Sequence, residues 1–472
     1  MKILFAASEA APYIKSGGLG DVAGALPPEL ARFKNTEVSV ILPFYASVKN
    51  SVKAEFVCSF NVPLSWRNVY AGIYKTKNHG VTWYFLDNNY YFGRDCYGYG
   101  DDGERFAFFD KAVLEALSYI DFAPDIIHLN DWQTGFIPLF LKAHYADIEK
   151  FKSIKTVFTI HNIEYQGKAN PDFLTDVLGV DEYWRGVAEH QGMINAIKCG
   201  IELADKVTTV SETYSHEIKH AYFASGLETV INNNAHKLTG IVNGIDTNIF
   251  NPVEDKNIHT NYNSQTVYLK EENKTELRNL LALDKRENVP LFAVISRLAG
   301  HKGIELFESV WKELLEMDIQ LVVIGTGEKK FEDFFRFLEY SYPGKVSANI
   351  MFDPARASLI YAASDFLIMP SKSEPCGLSQ LIAMRYGCIP IVRETGGLVD
   401  TVSPIDTATL EGSGFTFKTY NAGDMLGAIK RAAEFYRYRD KFEYIRGKIM
   451  TIDNGWKNRA GQYIDLYKQI NV

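Results

Sequence analysis

Along the chain, short runs of β-branched and aromatic residues alternate with longer stretches whose apolar positions recur at helical spacing. In the first half this pattern predicts strands at 2–7, 37–42, 81–86, 125–129, 156–161 and 206–210. A second series follows at 291–296, 321–324, 347–351, 366–369 and 389–392, with helices between the strands, for example at 104–120 and 304–317. Strands that are apolar throughout and separated by amphipathic helices indicate parallel sheets covered on both faces. The predicted class is therefore α/β, with two doubly wound units.

Between the two series lies GIVNGIDTNIFNP at 240–252, rich in turn formers and followed by the polar segment 253–265. The domain boundary is placed there, giving an N-terminal domain of residues 1–242 and a C-terminal domain of 243–455. The 472-residue length suits two large domains. Open α/β sheets bind ligands outside the carboxyl ends of their strands, so two such units joined by one linker are expected to leave a cleft there. Two similar turns, Lys15-Ser-Gly-Gly-Leu-Gly-Asp21 and Thr395-Gly-Gly-Leu-Val-Asp400, would supply one glycine turn to each wall.

Composition narrows the function. With 50 basic against 58 acidic residues the net charge is −8, which argues against a nucleic-acid binder with a general basic surface, so any anion site must be local. The 5 cysteines are scattered without a C-x-x-C pair, fitting neither a disulfide framework nor a zinc knuckle, and a reducing compartment suits them best. No run reaches the length of a membrane span, and the first residues are too short for a signal-peptide core. The chain reads as soluble and cytoplasmic.

The candidate chemistry sits where strands should end. Adjacent glycines let backbone N–H groups approach an anion, a helix starting there adds its positive end, and Lys15 adds a full charge; a purely structural turn is the alternative. In SRLAGHKG at 296–303, Arg297 offers a planar fork and Lys302 a mobile charge, a pair suited to a diphosphate, although a solvated loop would look the same. In PSKSEPCGLSQ at 370–380, Glu374 could bind a polar substrate while the Cys376 and Gly377 amides orient it, or could simply be an acid favoured at a helix start. Cys376 as a nucleophile lacks an evident histidine partner. The sequence His216-Glu-Ile-Lys-His220 matches a zinc-protease pattern by the letter but lacks the extended motif and a third ligand, and an exposed polar helix accounts for it. No Asp-x-Asp occurs, so charge on a diphosphate would fall to Lys and Arg.

Taken together, several segments resemble the bacterial glycogen synthases and plant starch synthases, retaining glucosyltransferases of the GT-B fold. They are ASEAAPYIKSGGLGDV (7–22), YGDDGERFAFF (99–109), HLNDWQ (128–133), TIHNIEYQG (159–167), VNGID (242–246), Ser296-Arg297 with Lys302-Gly303, SEPCGL (373–378) and TGGL (395–398). The resemblance spans essentially the whole chain and implies two Rossmann-like domains facing across a cleft. It also implies transfer of glucose from a sugar nucleotide, usually ADP-glucose in bacteria, to the non-reducing end of an α-1,4-glucan, without metal or cofactor. Carried over by position, Lys15, Arg297 and Lys302 bind the diphosphate, helped by backbone at Gly18 and at Thr395, Gly396 and Gly397. Glu374 holds glucose hydroxyls beside the Cys376 and Gly377 amides, and His161 lies against the reacting sugar. Asp21 and Asp131 are sugar- or acceptor-side groups, Asn243 belongs to the substrate-binding set, and Phe352 stacks on the adenine. Segment 456–472 resembles the family's terminal helix, which returns to the first domain.

Some positions depart from the family. Ser16 stands for a commoner Thr, Phe352 for a common Tyr, Ala299-Gly300-His301 for a Thr-x-Gln, and Ile382 for a second glutamate seen in related transferases. A covalent route to retention needs a carboxylate nucleophile that the sequence does not reveal, so same-face attack, with the leaving phosphate taking the acceptor's proton, is the expected mechanism. Three alternatives are a UDP-glucose-using synthase, a silent glucan-binding protein and a nicotinamide oxidoreductase. The last lacks a G-x-G-x-x-G with a downstream acid.

Overall fold

The run Ile3-Leu-Phe-Ala6 is completely buried, as expected for a strand with helices on both faces. In the computed structural model, which describes residues 1–470, it forms the middle of a nine-stranded sheet. That sheet contains β1 (Lys2–Ala6), β2 (Glu37–Pro43), β3 (Glu55–Leu64), β4 (Arg67–Asn78), β5 (Val81–Asp87), β6 (Ile126–Asn130) and β7 (Lys155–Ile160). After a small three-stranded sheet of β8 (Lys168–Ala169), β9 (Glu189–His190) and β10 (Met193–Asn195), it is completed by β11 (Lys206–Thr209) and β12 (Leu238–Gly240).

The strand order is β12-β11-β7-β6-β1-β2-β5-β4-β3. Every pair from β12 to β5 is parallel, and β4 and β3 extend the sheet as an antiparallel ribbon. From β1 the chain winds first toward β2 and β5, then returns to the other side for β6, β7 and β11. The order therefore reverses between β1 and β6, the place where doubly wound sheets bind ligands. Helix Trp456–Ile470 packs against helix Gly18–Ala31 on this sheet. Tyr467 hydroxyl lies 2.6 Å from Nδ1 of the fully buried His128.

The chain thus forms two compact units, residues 1–243 with the segment from Trp456 onward, and residues 244–455. The second unit holds six parallel strands, β13 (Leu291–Ile295), β14 (Gln320–Ile324), β15 (Val346–Asn349), β16 (Phe366–Met369), β17 (Ile389–Arg393) and β18 (Phe415–Phe417). Their order β15-β14-β13-β16-β17-β18 reverses between β13 and β16. The amino ends of those two strands are pinned by Asp365, which accepts from the Leu291 N–H at 2.8 Å and from Lys274 at 2.7 Å. Burial pushes the Asp365 carboxyl up, but Lys274 and Arg446 outweigh it and leave it below the usual carboxylate range.

The strands and helices that the sequence predicts differ from the observed ones at their ends, and β8, β9, β10, β12 and β18 were not among them. The helix expected at 104–120 runs Asp102–Ala116, and the strand expected at 125–129 runs Ile126–Asn130. The β3–β4 ribbon was not anticipated. The His216/His220 pair does not share a helix, because that helix, Glu212–Glu217, ends before His220.

Candidate active site

In the first unit the chemistry collects on the loops after β1, β6 and β7. The helix Gly18–Ala31 starts at the second glycine of the Lys15 turn and has Gly17 as its N-cap, without a side-chain cap bond. Lys15 is paired with Asp21 at 2.7 Å. Burial raises the Asp21 carboxyl, with Lys15 opposing the shift. The Ser16 N–H donates to the carboxylate of Glu9, which is 3% exposed. Burial raises Glu9 as well, against hydrogen bonds from Ser16 and Gly17 and with the charge of Asp21 adding to the rise. Part of the anion-binding capacity of this turn is therefore met from within the protein, and Glu9 went unassigned in the sequence. Its position directly after a buried strand at the reversal of strand order is the signal that could have found it.

Asp131 follows β6 at φ 57°, in the left-handed region that a non-glycine residue seldom adopts. Its Oδ1 accepts from the His161 N–H at 2.7 Å and the Asn162 N–H at 3.3 Å, tying the β6 and β7 loops together. Burial pushes its carboxyl up to about 7, the two backbone donors opposing this and Glu9 adding to it. The Asn130 amide donates from Nδ2 to the Ala6 carbonyl at 2.9 Å, so its Oδ1 is the atom facing His161 Nε2, also at 2.9 Å. A carbonyl oxygen only accepts, so the proton of His161 is on Nε2 and Nδ1 carries a lone pair. Desolvation lowers the His161 imidazole to about 3, which leaves it neutral. Asn243, at the end of this unit, is buried.

In the second unit the loops after β13, β16 and β17 converge. Lys302 Nζ contacts both carboxylate oxygens of Glu374, at 2.7 and 2.9 Å, and Ser371 Oγ donates to the same carboxylate at 2.8 Å. The β13 loop is docked through Gly303, at φ 75°, where a Cβ would lie 2.1 Å from the Pro370 carbonyl oxygen. The Lys372 N–H donates to the His301 carbonyl at 2.9 Å across the same seam. After β17, Gly396 has φ 46° and caps a short helix, Gly397–Thr401, whose first N–H donates to the Glu374 carbonyl at 3.1 Å. A Cβ on Gly397 would sit 2.3 Å from the Cys376 carbonyl oxygen, so the Gly-Gly turn and the Glu374 loop touch backbone to backbone.

Arg297 is exposed on the β13 loop, and Thr395 is buried at the end of β17. Gly377 at φ 73° lies two residues before helix Ser379–Arg385, with Cys376 buried beside it. Phe352, on the loop after β15, is 71% exposed, a large apolar face open at the carboxyl edge of this sheet. Lys302, Glu374, Cys376, Gly377 and Thr395 to Gly397 thus form one cluster. In the first unit Lys15 lies on the loop after β1 and Asp21 in the first turn of the helix that follows, with Asp131 and His161 on the loops after β6 and β7. Among the described residues no group of three or more His, Cys, Asp or Glu side chains is arranged to hold a metal ion.

The family model of the starch synthase catalytic domain matches residues 2–233, and that of the glycosyl transferases group 1 matches residues 275–446. The chain is 48% identical to the glycogen synthase of Desulforamulus reducens, covering 100% of this chain and 99% of that protein. It is 44% identical to the glycogen synthase of Clostridioides difficile over the whole of both chains. The catalytic domain of starch synthase IV from Arabidopsis thaliana, solved with ADP and acarbose, superposes with a TM-score of 0.91 at 34% identity, covering 100% and 99% of the two chains. Sucrose-phosphate synthase from Thermosynechococcus elongatus, 17% identical with a TM-score of 0.64 and coverage of 99% and 98%, shares the fold alone. Two Rossmann-like α/β domains of GT-B type and full-length identity at this level show that the chain belongs to the glycogen synthase family.

Proposed function

We propose that this glucosyltransferase is a glycogen synthase that moves glucose from ADP-glucose to the non-reducing 4-hydroxyl of an α-1,4-glucan with retention. The observation that carries the reading is the second-unit cluster, in which a lysine, a buried carboxylate and two glycine-backed helix starts are fixed around one point. Breaking a sugar–phosphate bond builds negative charge on the leaving group and positive charge on the sugar. Preorganised cations and amides lower that barrier most when they meet the charge as it forms.

In this reading Arg297 and Lys302 hold the diphosphate, with Lys15 as a third cation and backbone at Gly18 and Thr395 to Gly397 contributing N–H donors. Lys302 is paired with Glu374. A diphosphate that draws Lys302 to itself frees Glu374 to accept from glucose hydroxyls, with the Cys376 and Gly377 amides alongside. His161 offers a neutral Nδ1 lone pair to a sugar hydroxyl, and Asp131, Asp21 and Asn243 serve the sugar and acceptor side. Phe352 provides a face for adenine. ADP in the starch synthase structure supports the choice of base. Same-face attack, with the departing phosphate oxygen taking the acceptor proton, needs no protein nucleophile; trapping a glucosyl-enzyme on an Asp or Glu would refute it.

The decisive assay compares release of ADP and UDP from matched glucose donors with glycogen, in EDTA and in magnesium. ADP release from ADP-glucose, equal in both media and coupled to incorporation into glucan, is expected. Preference for UDP-glucose or a strict magnesium requirement would overturn the donor assignment or the cation-only site respectively.

A further inference from the structure

The tip of the β3–β4 ribbon carries a large aromatic surface that the proposed reaction does not use. Leu64 and Arg67 are paired, leaving Ser65 and Trp66 as a two-residue turn, with Ser65 at φ 53°. Trp66 is 75% exposed, yet it is not a loose side chain. Its indole N–H donates to Asp176 Oδ1 at 2.9 Å, and the Arg67 guanidinium lies 4.4 Å from its ring centre. Arg67 is fixed in turn by the Asp176 carbonyl at 2.6 Å, by Asp176 Oδ2 at 3.2 Å and by Glu104 at 3.4 Å. Glu104 also accepts from the buried Tyr91 hydroxyl, and next to Tyr91 stands Tyr90, 76% exposed. An indole oriented by a hydrogen bond, backed by a guanidinium and bordered by carboxylates has the chemistry of a sugar platform. Its free face can stack on the C–H face of a hexose, while the polar groups around it meet hydroxyls.

Its location selects the sugar. Gly72 of β4 lies opposite Asp87, the last residue of β5, so the five residues back to Arg67 carry the ribbon roughly 17 Å beyond the carboxyl end of β5. Strand β5 is parallel to β2, β1 and β6, so the turn projects from the same sheet edge that bears Lys15, Asp131 and His161. We infer that Trp66, with Arg67, Asp176 and Tyr90, forms a second binding site for α-1,4-glucan, which holds the acceptor polymer at a distance from the end being extended. This rests on the glycogen synthase reading.

The test compares Trp66→Ala, Trp66→Phe and Tyr90→Ala with the wild type, using glycogen and maltotriose as alternative acceptors. Loss of one stacking partner should raise the apparent KM for glycogen roughly 3- to 10-fold and weaken retardation in glycogen-containing native gels. The values of kcat, KM for ADP-glucose and KM for maltotriose should stay unchanged. Trp66→Phe should keep most of the retardation, which a purely structural role of the Asp176 bond would not predict. Should Trp66→Ala fail to fold, Tyr90→Ala carries the comparison with a smaller loss in the same direction. Unchanged glycogen affinity, or an equal rise for maltotriose, overturns the site. Self-association that Trp66→Ala abolishes would assign the surface to a second copy and also overturn it. A wild type that transfers no glucose to glycogen refutes the function itself, whereas an active wild type matched by Trp66→Ala refutes only this site.

Discussion

Removing Lys302 tests whether the cluster of the second unit is held as one electrostatic element. Glu374 is 5% exposed and the Lys302 side chain 22%, so Lys302→Ala leaves a buried carboxylate without its lysine and with the Ser371 hydroxyl still donating to it. Stranding one member of a fully buried pair costs ~3–5 kcal/mol, and an exposed pair contributes ~0.2–1 kcal/mol. With the lysine partly solvated and Ser371 still donating, the expected loss is about 2 kcal/mol, or about 4–8 °C in the melting temperature of a unit of this size. Glu374→Ala should cost less, because the released ammonium can turn to water. The double variant Lys302→Ala/Glu374→Ala should regain about 1–2 kcal/mol relative to the sum of the single changes. In turnover the order is different. Each single variant should lose about 10²- to 10³-fold in kcat, and the double little more, since both groups act on one step. Calorimetry of the four proteins, alongside initial rates with ADP-glucose and glycogen, gives both cycles. Strict additivity in stability, or near-normal turnover in Glu374→Ala, would refute the coupling and the assigned role.

Other consequences can be measured with equally small changes. Gly303→Ala forces a Cβ to 2.1 Å from the Pro370 carbonyl and should lower kcat/KM at least about 10-fold, at a backbone cost of ~1–2 kcal/mol. Gly300→Ala, whose nearest atom would be 3.8 Å away, should be tolerated; equal effects would show that the docking of this loop is unimportant. The Asp131 carboxyl titrates near 7 when folded and near its ordinary value when unfolded, so it holds a proton that the unfolded chain has lost across the interval between. Its contribution is therefore full below about 4 and is lost as pH rises to about 7, and the melting advantage of wild type over Asp131→Asn should fall across that window and flatten above it. His161 is held at about 3, so here the loss runs the other way, as pH falls from about 6.5 toward 3, and His161→Asn should reduce this acid lability.

The parallel strands were legible because burial on both faces leaves runs with no polar interruption, such as β1 and β14. The β3–β4 ribbon was not. In β3 exposed and buried positions alternate past Cys58, Asn61 and Pro63, and β4 carries Lys75, Thr76 and Lys77, a surface pattern easily taken for loop. At the site, the glycines announced their turns through steric need, and Lys302 and Glu374 followed from position. What the lysines touch was invisible. Neither the pairing of Lys15 with Asp21 nor the anchoring of Ser16 by Glu9 can be read from spacing, since each depends on how a loop folds back on itself.

The terminal helix has a consequence for the order in which this chain can be made. Residues 244–455 are one uninterrupted block of the chain, and the hydrogen bond from the Ile245 N–H to the Asn454 carbonyl ties its two ends together. The first unit is split, with its last helix placed after that block in the sequence. Until residues 456–470 appear, helix Gly18–Ala31 lacks its neighbour and His128 lacks the Tyr467 hydroxyl. The first unit therefore stays unfinished until all of the intervening block has been made, and the Lys15 turn that opens helix Gly18–Ala31 gains its full support only then.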